Sequence, residues 1–136
     1  MGKHHHPHEM KQFFFHLLLT LLLLPLLVFS QRSRQARLDS MIASVSAATD
    51  DTNKAGTLNA IAYEYNKVNP YEGIKYGRQA LALAQKLKWQ KGIGRANSAL
   101  GANYFSLSDY PKAHDHWLIA LHINEEMHFK LGIANL

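Results

Sequence analysis

Two stretches of this chain are the same pattern written twice. Residues 77–93, GRQALALAQKLKWQKGI, lie over residues 117–133, WLIALHINEEMHFKLGI, at an offset of 40. Ala80 meets Ala120, Leu81 meets Leu121, Leu83 meets Ile123 and Leu87 meets Met127. Trp89 meets Phe129, Gly92 meets Gly132 and Ile93 meets Ile133. Self-similarity at a period of roughly 20–50 residues marks stacked supersecondary units, each unable to bury its apolar face alone. That requirement excludes most other folds for the second half of the chain.

Each unit reads as two helices. In the better-defined unit, QKGIGRANSALGANYFSL forms the first and YPKAHDHWLIALHINEEM the second. Asp109 caps the second helix, with Pro111 in its first turn, where a missing N–H costs little. In the preceding unit Asn69 caps a helix beginning at Pro70, and Glu72 completes a capping box. The linkers are short, so paired helices run antiparallel. Small and large residues alternate between them. Gly101 and Ala113 let the backbones approach, while Tyr104, Trp117 and Leu121 fill the space around that point, as ridges fill grooves. Asn97 is expected nearer the surface than Gly101.

These residues resemble the tetratricopeptide repeat (TPR), whose pattern is W-x2-L-G-x2-Y, then A-x3-F, then a later Ala and Pro. Leu100, Gly101 and Tyr104 match its first part, Ala113 and Trp117 its second, and Ala120 the later alanine. Asn97 and Glu125 replace the Trp and the Pro. The preceding unit is a weaker match, through Leu58, Ile61, Ala62 and Tyr65, then Gly73, Gly77 and Ala80, with a turn one residue shorter. The resemblance implies an all-α fold of helical hairpins winding into a right-handed α-solenoid over residues 51–136. Unit one covers about 51–89, unit two about 90–128, and 129–136 opens a third. It also implies a concave groove for a protein or peptide segment. Carried over by position, the groove shows Asn59, Tyr63 and Asn66 from unit one, and Ser98, Ala102 and Phe105 from unit two. The family's lysine-rich carboxylate clamp is not visible.

The N-terminus carries a different message. MGKHHHPHEMKQ is polar and basic, FFFHLLLTLLLLPLLVF is apolar over residues 13–29, and Ser30 follows with Val28 two before it. That is the layout of a secretory signal peptide over residues 1–30. The rival is a retained membrane anchor, for which seventeen residues with Pro25 inside are short. Arg32, Arg34 and Arg37 after the apolar run oppose translocation. The HHHPH tract is a polar flank of this segment, not a chelator. In residues 31–50, Leu38, Met41, Ile42 and Val45 fall at i, i+3, i+4 and i+7, an amphipathic N-terminal capping helix. Asp50, Asp51 and Thr52 then stop one helix and cap the next.

Chemistry finds little purchase. The 136 residues include no cysteine, so no disulfide, thiolate nucleophile or cysteine zinc site is possible. The formal charge of +5 is spread thinly, and from residue 40 ten basic residues face eight acidic ones. No basic face calls for nucleic acid. His114, His116, His122 and His128 lack the i, i+3 or i, i+4 spacing of helical ligand pairs and are expected to be solvated. Asp50 and Asp51 point apart and serve as caps. Gly92 and Gly94 are not a phosphate loop, and nothing orders a triad. No catalytic, cofactor or metal residue is assigned.

The expectation is a noncatalytic protein–protein interaction module, exported to the periplasm or the outer face of the inner membrane. It would be the sensing or scaffolding N-terminal part of a larger bacterial signalling protein, such as a histidine kinase, nucleotide cyclase or transcription regulator. Membrane contact would come only through an uncleaved N-terminal segment. The uncovered last repeat face would favour self-association. The alternatives are a stand-alone exported TPR protein and a metal-binding or hydrolytic segment using the unit-two histidines.

Overall fold

A computed structural model describes the backbone of residues 7–134, and the side chains within it except at 7–9, 23–31, 33 and 129–134. The described residues are helical and contain no strand. The helices are α1 (Pro7–Ala47), α2 (Thr52–Tyr65), α3 (Pro70–Lys86), α4 (Gln90–Ser106) and α5 (Tyr110–Ala134). The chain divides into two units, residues 1–39 and 40–136.

In the first unit the apolar run forms the body of α1. Phe13, Phe14, Phe15, Leu17, Leu18, Leu19, Leu21 and Leu22 are all exposed. No helix among the described residues is long and apolar enough to cross a membrane. The expected boundary at residue 30 is not a helix end, and the stretch 31–50 is not a separate helix. Pro25 forfeits one backbone hydrogen bond, but the leucines around it are strong helix formers.

In the second unit, α2 packs on α3, α3 on α4, α4 on α5, and α2 also touches α4. Helix starts follow side-chain chemistry. The Asp51 carboxylate accepts from Lys54 N–H at 2.9 Å, capping α2. Asn69 Oδ1 accepts from Glu72 N–H at 3.4 Å, and Asp109 Oδ1 from Lys112 N–H at 3.3 Å. The expected capping box at Asn69 is only half made. The Glu72 carboxylate bonds Lys75 Nζ instead, while Asn69 N–H donates to Tyr65 O at 2.8 Å. Asp50 is not a cap: it pairs with Lys54 and, at 2.8 Å, with Lys86 at the end of α3.

Two helix ends are built alike. Trp89 N–H reaches back to Ala84 O and Asp109 N–H to Tyr104 O, both at 2.9 Å. Lys88 N–H bonds Gln85 O, and Ser108 N–H bonds Phe105 O. This is the paired closure of a helix by one left-handed residue. That residue is Lys88, at φ 51°, and Ser108, at φ 60°. Neither is glycine, so each carries the cost of a Cβ in that conformation.

The hairpins meet where side chains vanish. A Cβ on Gly101 would overlap the Trp117 indole, and one on Gly77 would lie 2.9 Å from a Leu100 methyl. A Cβ on Gly73 would overlap the Asn103 amide. One apolar cluster joins Ala55, Leu58, Ala80, Leu83 and Ala96, with Val45 of α1 and Trp89 packed against it. A second joins Ile74, Leu100, Tyr104 and Ala113. A ring pair recurs in both hairpins. Tyr65 stacks on Tyr76 at 5.7 Å, and Tyr104 on His116 at 5.4 Å, at equivalent places in the two units.

Three packing expectations need correction. Leu121 is 52% exposed rather than filling the hairpin. Its counterpart Leu81 sits on α4 and is half-buried. Asn97 is buried, held by its own helix and by His116. The repeat also implies a turn after Met127 like the one after Leu87, opening the third unit at 129–136. Instead α5 runs on to Ala134. Residues 135 and 136 lie outside the described part.

Glycine at the left-handed positions removes the Cβ penalty, offset in part by greater freedom when unfolded. Ser108→Gly should therefore raise stability by about 0.5–1 kcal/mol in urea denaturation. Gly73→Ala should lower it, because Asn103 is held by two carbonyls and cannot move aside freely. Equal midpoints for all three proteins would contradict the helix-end and crossing assignments.

Candidate interaction surface

The first helix of each hairpin, α2 and α4, shares one face of the second unit. On α2, Asn53, Thr57 and Ala60 border a cleft of about 550 Å³, with Arg95 of α4 and Trp89 at the entry to α4. Met41 and Ser44 from the last turns of α1 border it too. Helical periodicity carries these strips onward, from Ala60 to Tyr63 on α2, and from Arg95 through Ser98 and Ala102 to Phe105 on α4. Tyr63 is 43% and Phe105 53% exposed, while Ser98 and Ala102 are half-buried. These four sequence-predicted residues therefore occupy an accessible face.

Asn59 does not. It is 4% exposed, and neither its Nδ2 nor its Oδ1 has a partner. The reason is one of register. Ala55, Asn59 and Ala62 fall at i, i+4 and i+7, and this strip faces α4. Ala55 packs in a cluster with Ala96, and the Ala62 carbonyl accepts from Asn103 Nδ2 at 2.9 Å. Asn66, the C-cap of α2, is half-buried, and its backbone N–H bonds Tyr63 O.

The unit-two residues meet Trp117, which the sequence pattern assigned to the packing between the helices. The Phe105 ring lies 5.5 Å from Tyr110 and 5.7 Å from Trp117. The Trp117 indole N–H donates to Ser98 O at 3.3 Å. Trp117 is 41% exposed, covering Gly101 with one side and leaving the other open. The signal was present in the sequence: Phe105 and Tyr110 flank a tight turn, and the residue opposite a glycine lies high over the helix surface. No hydrogen bond or ring contact joins Tyr63 or Asn59 to the Phe105 patch.

Behind this face runs a polar thread. His116 Nδ1 lies 2.9 Å from Asn97 Oδ1, and Asn97 Nδ2 donates to Ile93 O. With that amide orientation the imidazole carries its proton on Nδ1. Burial holds the His116 pKa below the ordinary histidine value, with Arg78 adding to the depression and Asp115 opposing it. His116 is therefore not the solvated histidine expected. His114 and His122 are well exposed, 3.8 Å from Asp115 and Glu126 respectively. Among the described residues no cluster of three His, Asp or Glu side chains is placed to hold a metal ion.

No family model, no curated protein and no solved structure matches this chain.

Because the folded protein holds His116 neutral, the unfolded chain takes up its proton first as pH falls. Stability is complete above about pH 6.5, the unfolded histidine value, and declines below it toward the folded value. His116→Gln removes this contribution. The gap between wild-type and variant urea midpoints should narrow from pH 7.5 to pH 5. A gap independent of pH would contradict the buried, neutral assignment.

Proposed function

We propose that residues 51–136 form a TPR-like array, a right-handed α-solenoid in which α2–α3 and α4–α5 are successive hairpins. Its role is to bind an extended protein or peptide segment without catalysis. The repeated ring stack, the repeated left-handed helix end and the glycine crossings support the array. The exposed rings of Tyr63 and Phe105, on the two helices that share one face, carry the binding assignment. An extended peptide needs hydrogen-bonding groups beside apolar pockets. Asn53, Thr57 and Arg95 supply the first, and Trp89, Phe105 and Trp117 the second.

Placement outside the cytoplasm, as a sensing or scaffolding module, rests on the N-terminal run. Eight large apolar side chains from Phe13 to Leu22 stand uncovered on α1. Such a surface requires an apolar environment, which a translocation channel or bilayer provides.

Replacing Tyr63 and Phe105 together with Ala should leave helicity unchanged and shift stability by less than about 0.5 kcal/mol, as surface changes do. Binding to partners captured from a periplasmic extract should weaken by about 1 kcal/mol or more, roughly fivefold, if either ring is an anchor. A folded double variant that keeps every partner at full affinity would move the binding surface elsewhere.

A further inference from the structure

A second surface lies on the other pair of helices. Among the described residues the backbones of α3 and α5 do not approach each other, and α4 lies beneath both. The gap is a cleft of about 560 Å³, floored by Tyr104 of α4 and by Leu107, which caps its end. Arg78 and Lys75 stand on the α3 wall and Lys112 on the α5 wall. Three cations thus converge on one cleft, against Asp109 as the lining carboxylate.

Local pairing cancels two of these charges and leaves the third, on Arg78. Lys112 is bonded to Asp109, and Lys75 to Glu72 at 3.0 Å just outside the lining. Arg78 Nη2 donates to the Tyr104 hydroxyl at 3.0 Å, a neutral acceptor that fixes the guanidinium without neutralising it. Tyr104 is itself fixed by its stack on His116, and Lys112 Nζ lies 5.3 Å from its ring. A guanidinium held by one N–H keeps a fork of donors for a carboxylate, and a prepositioned fork loses less entropy on binding. At the mouth, Tyr71 is strongly exposed, and Ile74 and Leu107 give the cleft an apolar side. A phosphate would gain from the cations but make no use of that apolar side. An acidic side chain with an apolar neighbour uses both.

We propose that the α3–α5 cleft is a binding site for an acidic peptide segment, with a Glu or Asp carboxylate on Arg78 and an adjacent apolar side chain against Tyr71, Ile74 and Leu107. The site is separate from the α2–α4 face and does not depend on the function proposed for it. Arg78 supplies the uncompensated charge that attracts the carboxylate, so binding weakens as salt rises.

The test uses the full chain and two fluorescein-labelled decapeptides read by anisotropy, one alternating Glu with Leu and the other alternating Gln with Leu. The Glu peptide should bind at least tenfold tighter at 50 mM salt. Arg78→Met should remove that preference, Arg78→Lys should restore part of it, and Lys75→Gln should lower affinity about threefold, all with unchanged circular dichroism. Lys75→Gln keeps the test valid if Arg78→Met fails to fold, since Lys75 is exposed and its contacts are with Glu72 and the Tyr76 ring on its own helix. Tyr63→Ala/Phe105→Ala should leave binding intact, which separates this site from the other face. Equal affinity for the two peptides, or full Glu-peptide affinity in folded Arg78→Met or Lys75→Gln, would overturn the proposal. So would free glutarate binding as tightly as the peptide, since the site would then serve a small dicarboxylate.

Discussion

The second unit depends on close approach between helices at missing side chains. Gly101 lies under the Trp117 indole, Gly77 faces Leu100, and Gly73 receives the Asn103 amide. Each contact sets a large group on bare backbone, so the helix spacing is fixed there and the other side chains pack to suit it. Asn103 shows how tightly. Its Nδ2 donates to Ala62 O on α2 and Ala99 O on its own helix, while its amide rests on Gly73 of α3. One side chain thereby ties three helices together.

From that spacing come the two surfaces. Because α4 sits between its neighbours, α3 and α5 stay apart and leave a cleft over Tyr104. On the other side, α2 and α4 touch and share a face that carries Tyr63, Phe105 and Arg95. The Tyr104–His116 stack connects the two. Its tyrosine hydroxyl holds Arg78 in the cleft, and its imidazole is bonded to Asn97 within the α4–α5 hairpin. His116 thus links the cleft floor at Tyr104 to Asn97 inside the α4–α5 hairpin.

Much of this was legible in the residues. The pairing of Gly101 with Trp117, the caps at Asp51, Asn69 and Asp109, and the all-helical character of the described residues follow from spacing and composition. What was not legible has physical causes. Asn97 and His116 are polar, and sequence alone does not show that each satisfies the other. Asn59 reads as a surface residue, but its register with Ala55 and Ala62 turns it toward α4. Lys88 and Ser108 hold left-handed conformations that their side chains do not advertise. The repeat implied a third unit opening at 129, yet α5 continues to Ala134. Arg78 and Lys112 stand far apart in sequence, and only the gap between α3 and α5 brings them to one cleft. The exposure of Tyr63 and Phe105 follows from the helical period of the strips on α2 and α4.

The sharpest test of the crossing is a double-mutant cycle on Gly101 and Trp117. Gly101→Leu alone overpacks the contact and should cost about 1–3 kcal/mol in urea unfolding. Trp117→Ala alone removes the ring that covers the glycine. Combined, the leucine occupies the space the indole has left, so the double variant should be more stable than the sum of the two losses by at least about 1 kcal/mol. Losses that simply add, within about 0.5 kcal/mol, would mean that the two residues do not meet and that the hairpin is packed in another register.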